Sequence, residues 1–456
     1  MGKVFPNRKK GFFEEHWLAL IILWLLFFER LFMMSRLGAD YGLQSDDASY
    51  IKAGITFYHT GAITMHGVIS AQIMPGLPVL IGGFVALLGE GYGMWLGLKL
   101  FWCLLGSLAA WFTYLAIDLK APKWAAIVPM LLFFTPDFAW QDNLILTETP
   151  FLFLTCFYLY SLFRLGENQD WASYFMVFSA AFLAFMLKAH ASVYFILPIP
   201  YLWAKKYPSA RLYGQCFLSL FLISCFVVPW SVRNYYHFKE FIPATYGIGN
   251  PLLLGTYQGE GYPEDEEAFN RDQLIQAVEE KYENLRDENG NFSEKHKRYI
   301  FMRTDEAKAR ARMKYWWKND RESMIRSYLY LKPKSMLYKT FYWDEVVPHT
   351  KSAIEWGRHV DFYLALAALP AAIIARRTVA EVVFLLFAYG LQVYMYAYAY
   401  VFDRYAQSLL PFRYIAVGFF LAAVAEIFKK SGGSLGNKWA IYKKEKEFNR
   451  QRKSSQ

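Results

Sequence analysis

A mostly α-helical, polytopic membrane protein is predicted by three features of this 456-residue sequence. The chain is 55% hydrophobic, its apolar residues come in runs of membrane-crossing length, and its basic residues are distributed unevenly between those runs. Ordinary soluble domains hold roughly 45 to 50% apolar residues, so a soluble chain is nearly excluded. The four cysteines, Cys103, Cys156, Cys216 and Cys225, lie inside apolar runs without CxxC spacing, which supports neither a disulfide framework nor a zinc site.

Taken in order, the runs able to cross ~30 Å of hydrocarbon as helices number about ten. They cover residues 17–34, 94–117, 123–136, 149–164, 171–187, 191–204, 212–230, 358–375, 378–400 and 408–428. The first follows Lys3, Arg8, Lys9 and Lys10, and it is too long, with no small-residue cleavage site behind it, for a removed signal peptide. An even number of spans brings both termini to one side. If that side is cytoplasmic, the inner stretches hold Lys120, Lys123, Arg164, Lys205, Lys206, Arg211, Arg376, Arg377 and the basic tail, whereas the short outer ones hold only Arg36, Lys52, Lys188 and Arg404. This is the positive-inside pattern. It accounts for much of the net charge of +10 without a nucleic-acid partner, and the tail reads as solvated chain near anionic headgroups of membrane lipids.

The chain divides accordingly into an N-terminal transmembrane module (1–230) with a first external loop (35–93), an extracytoplasmic cap (231–357), C-terminal transmembrane helices (358–428) and a basic cytoplasmic tail (429–456). In the first loop, Pro75-Gly76-Leu77-Pro78 precedes an apolar stretch, residues 79–88, too short to span and expected to lie at the interface. In the cap, Leu274, Val278, Tyr282 and Leu285 fall at helical spacing, Asn289-Gly290 marks a turn, and a basic aromatic helix is expected over residues 315–338. No internal repeat is evident.

Charged residues near the ends of these runs converge on the outer side. They are Asp46 and Asp47 beyond the first run, Asp142 and Glu148 framing a short connection, Lys188 and His190 after the fifth run, Arg233 after the seventh, and Arg404 before the last. A charge at the bilayer centre costs ~2.5 to 3.5 kcal/mol even on the lenient insertion scale, so such groups face a partner or a wet cavity. Acids and bases at one face suit chemistry on a phosphorylated lipid: a carboxylate takes a proton from an attacking hydroxyl while Lys and Arg stabilise the departing phosphate. Interfacial or snorkelling positions are the competing explanation for each. Glu29 and Arg30 are read that way, as residues that snorkel or satisfy neighbouring helices. Arg233 has a loop-pinning role as its alternative, and Asp142 and Glu148 weigh equally between acceptor or metal binding and capping of a helix start. A divalent cation is compatible with these acids, but no ligand spacing demands one.

Four segments together resemble the GT-C superfamily of membrane glycosyltransferases, in particular the group containing protein O-mannosyltransferases and lipid A aminoarabinose transferases. They are Asp46-Asp47-Ala48-Ser49-Tyr50 with Gly54, Gly61 and Pro75 to Pro78; Leu146-Thr147-Glu148; Pro229-Trp230-Ser231-Val232-Arg233-Asn234 with Phe241 to Pro243, Gly247 and Gly255; and Arg404-Tyr405 with Pro411. Asp47 stands where that family often has Glu, and Lys188-Ala189 where it often has Arg-Pro. The resemblance implies a mostly α, GT-C-type fold whose N-terminal module is catalytic. It further implies inverting transfer of a sugar, hexose or pentose, from a polyprenyl-phosphate donor to a glycan, lipid or protein acceptor on the extracytoplasmic face. By the same token Asp46 is the general base, favoured over Asp47, which orients the acceptor or tunes its neighbour. Lys188, Arg233 and Arg404 are candidates for the donor phosphate, with Lys99 and His190 behind them. No cofactor beyond the donor lipid is called for with certainty. A bacterial plasma membrane is the expected setting; in an endoplasmic reticulum homologue Asn291-Phe292-Ser293 would be a glycosylation acceptor. A lipid-linked sugar transporter or flippase, and a catalytically silent scaffold, are the rival functions.

Overall fold

The computed structural model describes residues 11–260, 271–343 and 345–431. The N-terminal lysines and arginine at positions 3 to 10, and the basic tail beyond 431, lie outside the described residues. In chain order the first helices are α1 (Phe12–Leu37), α2 (Asp46–Thr60), α3 (Gly76–Leu88), α4 (Tyr92–Asp118), α5 (Lys123–Leu131), α6 (Pro136–Gln141), α7 (Glu148–Asn168), α8 (Trp171–Leu187), α9 (Pro198–Ala204) and α10 (Ser209–Phe238). Then follow α11 (Gly249–Gly255), α12 (Arg271–Lys281), α13 (Glu294–Asn319), α14 (Arg321–Arg326), α15 (Lys332–Tyr338), α16 (Lys351–Ala375), α17 (Val379–Tyr398) and α18 (Asp403–Ser431), the last with a turn at Ser408.

Among the described residues six helices are long and apolar enough to cross a membrane: α1, α4, α10, α16, α17 and α18. Their faces explain their places. On α1, Ala19, Ile22, Leu26, Arg30 and Met33 recur at three- and four-residue spacing and are buried, while Trp17, Ile21, Trp24, Leu25, Phe28 and Phe32 form an exposed apolar face. An outward apolar face of that width suits hydrocarbon rather than water. The middle of α10 exposes Phe217, Leu220, Phe221 and Val228 in the same way. α7 differs, with Phe151, Leu152, Leu154, Tyr158, Leu159, Leu162 and Phe163 all buried, so it is the central helix that the others surround.

Two expected spans are broken. Residues 123–136 form only the nine-residue α5, about 14 Å at 1.5 Å per residue, which carries Pro129 inside it and ends at Leu131; Thr135, extended before Pro136, opens a separate helix, α6. Residues 191–204 form a 3₁₀ turn, Ala189–Phe195, and then the short α9 that starts at Pro198. The stretch 79–88 is part of α3, which packs on α2. A Cβ on Gly54 would lie 2.3 Å from Ile81, so glycine there sets how closely the two helices approach. Between α2 and α3 is a hairpin not foreseen from the sequence, β1 (Thr64–Met65) and β2 (Val68–Ile69), antiparallel with Thr64 opposite Ile69. Its turn, His66-Gly67, has positive φ at both residues, the mirror-image geometry that matches strand twist.

Beyond α10 the chain forms the cap. The expected turn is present, with the Gly290 amide donating to the Asp287 carbonyl at 2.9 Å. The expected helix over 315–338 is divided: α13 stops at Asn319, Asp320 caps α14 by accepting from the Ser323 amide, and a π turn, Ser327–Leu331, leads into α15. The cap grips the first loop. The Tyr246 amide donates to the Ala71 carbonyl at 3.0 Å, the Tyr246 and Ser70 hydroxyls meet at 2.9 Å, and a Cβ on Gly247 would lie 2.3 Å from the Gln72 carbonyl oxygen. Glu240 joins α13 to the base of the cap by accepting from Arg303 at 2.8 Å and Tyr282 at 3.0 Å, and also from Tyr299.

Candidate active site

The first residues of α2, the start of α7, the end of α8, the end of α17 and the start of α18 meet at one end of the central helix. Four charges gather there. Arg404 donates to Asp46 Oδ2 at 2.6 Å and brings its Nε within 3.5 Å of Glu148 Oε1, while Lys188 Nζ donates to the same Glu148 oxygen at 3.2 Å. Tyr405 lies under both cations, 4.6 Å from the Lys188 ammonium and 5.5 Å from the Arg404 guanidinium. His190 Nε2 and the Tyr396 hydroxyl are 2.9 Å apart, and Tyr396 stacks on Tyr405.

Glu148, Lys188, His190, Arg404, Tyr50, Gln72, Tyr396 and Tyr405 line a cavity of about 290 Å³, with Asp46 held beside it by Arg404. His190, Ile248, Tyr396 and Tyr405 are shared with an adjoining groove of about 600 Å³, walled by Leu391, Tyr394, Met395, Tyr398 and Tyr400. A polar chamber therefore continues into an aromatic and apolar trough. The His66 imidazole is held below its ordinary value by burial and by Arg298, with Asp46 pulling the other way.

The two adjacent aspartates have different duties. Asp46 has a side chain 38% exposed, whereas the Asp47 carboxylate is turned into its own loop, accepting from the Leu43 amide at 2.5 Å and the Ser45 amide at 2.8 Å. A Cβ on Gly42 would lie 2.4 Å from Asp47 Oδ2, so only glycine leaves room for that bond.

Three other sequence candidates are not brought to the cavity. Asp142 is sealed in the bundle, accepting from Arg30 Nε at 2.7 Å and Thr149 Oγ1 at 2.7 Å, with both members of the ion pair 0% exposed. Lys99 donates to the carbonyls of Tyr41, at 2.6 Å, and Asn143. Arg233 donates to the carbonyls of Ser70 at 2.9 Å and Ile63 at 3.1 Å, which makes it the clasp of the hairpin. At each of these positions the side chain is bonded to protein groups and is not among the residues lining the cavity. Among the described residues no group of three or more His, Cys, Asp or Glu side chains is placed to hold a metal ion. The sequence reading did not single out Tyr50, Gln72 or Tyr396. The repeat of tyrosines at 394, 396, 398 and 400 is the signal the sequence offers for Tyr396.

These features define a polytopic, mostly α-helical membrane protein with a charged cavity at one end of its bundle. No family profile matches the chain, and neither does any curated protein. Among solved structures it is similar to ArnT from Cupriavidus metallidurans bound to undecaprenyl phosphate, with a TM-score of 0.39 and 13% identity over 90% of this chain and 78% of that one. It is also similar to the same ArnT in the apo state, with a TM-score of 0.36 and 14% identity over 89% of this chain and 76% of the other. Likeness at this level assigns no residue a role.

Proposed function

We propose that the protein is a GT-C-type glycosyltransferase that moves a sugar from a polyprenyl-phosphate donor to an acceptor hydroxyl on the extracytoplasmic face of a bacterial plasma membrane, with both termini cytoplasmic. The observation that carries this reading is the sharing of Arg404 between Asp46 and Glu148, with Lys188 on the same Glu148 oxygen, in a polar cavity that runs into an apolar groove. A prenyl chain fits the groove by its chemistry, and a phosphate fits the two cations. Within the cavity wall Asp46 and Glu148 balance Arg404 and Lys188. An arriving donor phosphate competes for Arg404 and frees Asp46 Oδ2 to face the acceptor.

Asp46 then accepts the proton of the acceptor hydroxyl. The oxygen forms its bond to the anomeric carbon from the side opposite the phosphate, the bond from that carbon to the phosphate oxygen breaks, and the electron pair leaves on the phosphate. Configuration is inverted. Lys188 and Arg404 gain most as that charge develops, which lowers the barrier rather than merely tightening binding. His190 and Tyr396 border the leaving group, and Glu148 keeps both cations in place.

Purified protein incubated with polyprenyl-phosphate sugars and candidate acceptors tests this. Asp46→Asn should lower transfer by ~10²-fold or more while the protein remains folded, the usual size of a general-base contribution. Undiminished turnover in that variant, or absence of transfer by the unmodified protein with every prenyl donor that copurifies with it, would refute the proposal.

A further inference from the structure

A second polar cavity lies across the turn that joins α17 to α18. It measures about 490 Å³, and Lys332, Lys334, Lys339, His359, Glu355 and Gln258 are among the residues lining it. The dividing wall is firm. The Gln258 amide group donates to the Val401 carbonyl at 3.0 Å and accepts from the Val401 amide at 2.8 Å, and Ser335 donates to Asp403, the neighbour of Arg404, at 3.2 Å.

Lys332 sets this cavity apart. It is 2% exposed, yet among the described residues no carboxylate lies within ion-pair distance of its ammonium. Its one hydrogen bond is to the Gly255 carbonyl at 3.1 Å, and it rests 3.8 Å from the centre of the Tyr328 ring. Gly255 makes the approach feasible, since a Cβ there would lie 3.1 Å from the ammonium and 2.3 Å from the Ala399 carbonyl oxygen. Burial pushes Lys332 down to about 7. The other buried lysines are answered: Lys188 by Glu148, and Lys99 by two carbonyls. A buried ammonium without a counter-charge is costly and an anion would relieve it, all the more where two further lysines and a histidine face a single glutamate.

We infer that this cavity binds a phosphate group, with Lys332 as the buried contact and Lys334 and Lys339 at the rim. On the glycosyltransferase reading, on which this part rests, the phosphate belongs to the acceptor. Val401, which lines it, is three residues from Arg404, which holds Asp46, so an acceptor anchored by its phosphate here would have its hydroxyl end reach past the Val401–Asp403 backbone. A charge-assisted hydrogen bond from a buried ammonium supplies the selectivity for an anionic acceptor.

Calorimetric titration of the full-length protein in detergent with glucose 1-phosphate and glycerol 3-phosphate tests the inference. The two probes stand for a sugar-borne and a lipid-borne phosphate, and the tighter one indicates the source. Lys332→Met should weaken that probe by about tenfold or more, the worth of one buried charge-assisted hydrogen bond. The rim variant Lys334→Gln/Lys339→Gln, at exposed positions that tolerate substitution, should weaken it by roughly threefold and decides the matter if Lys332→Met does not fold. Wild-type affinity for both probes in these variants overturns the inference. Phosphate bound at the first cavity is common to all variants and cancels. A protein whose probe binding depends on Lys332 but which transfers no sugar would sink the glycosyltransferase reading and leave this site standing; transfer with lysine-independent probe binding would do the reverse.

Discussion

Asp142 and Glu148 frame the same short connection between α6 and α7, and nothing in their local sequence separates them. The fold sends them to opposite fates. Asp142 meets Arg30 and Thr149 in a contact without exposed surface, whereas Glu148 holds Lys188 and Arg404 at the wall of a cavity. Both are buried acids beside arginine. The difference is an open side: a pair whose every neighbour is protein can only hold helices together, while a pair with a void against it can exchange partners with a ligand. Lys332 completes the series as a buried charge that has the void but, among the described residues, no carboxylate within ion-pair distance.

The largest expected effect breaks the closed pair. Arg30→Ala strands the Asp142 carboxylate in the bundle and should destabilise the protein by about 3 to 5 kcal/mol, seen as a large fall in Tm in detergent. The double replacement Arg30→Met/Asp142→Leu should recover much of that loss, because no sealed charge then remains and only the partly exposed Glu29, Arg30's second partner, keeps one; a double variant no more stable than Arg30→Ala would contradict the distinction. Lys188→Met should act on the open site instead, weakening prenyl-phosphate affinity by about tenfold, with a much smaller change in Tm than Arg30→Ala causes. Equal losses of stability at Arg30 and Lys188 would erase the contrast. The smallest effect concerns Lys332. Its folded value of about 7 lies below the ordinary 10.5, so between these values the unfolded chain binds more protons and stability rises with pH across that window. Lys332→Met should lose this slope and raise Tm by roughly 1 to 2 °C at neutral pH, measured by scanning fluorimetry over pH 6.5 to 9.

Much of the fold was legible because hydrophobic spans are local. Runs such as 17–34, 94–117 and 378–400 became α1, α4 and α17 with ends shifted by a few residues. The runs 123–136 and 191–204 were misread because hydropathy alone ignores Pro136 and Pro198, each of which opens a new short helix after a break, whereas Pro229 and Pro370 are carried inside the continuous α10 and α16. The candidate site was legible in part. Asp46, Glu148, Lys188, His190 and Arg404 were chosen from charge type and resemblance and do lie together. Asp142, Lys99 and Arg233 were chosen by the same criteria and do not, since each finds partners 44 to 170 residues away that no local pattern announces. Lys332 went unnoticed, one lysine among many in a charged segment.

What the sequence determined by itself was the kind of molecule: run lengths, helix breakers and the supply of acids and bases are properties of neighbouring residues, and they dictate a helical bundle in a membrane. Only the tertiary structure decided which of those charges stand idle in closed pairs and which face a void. Asp46 and Arg404 are 358 residues apart and meet at 2.6 Å, and the direction in which a carboxylate remains open is a matter of what packs behind it. That is a property of the assembled helices, set by where each terminates and how closely glycines such as Gly54 and Gly255 let them approach.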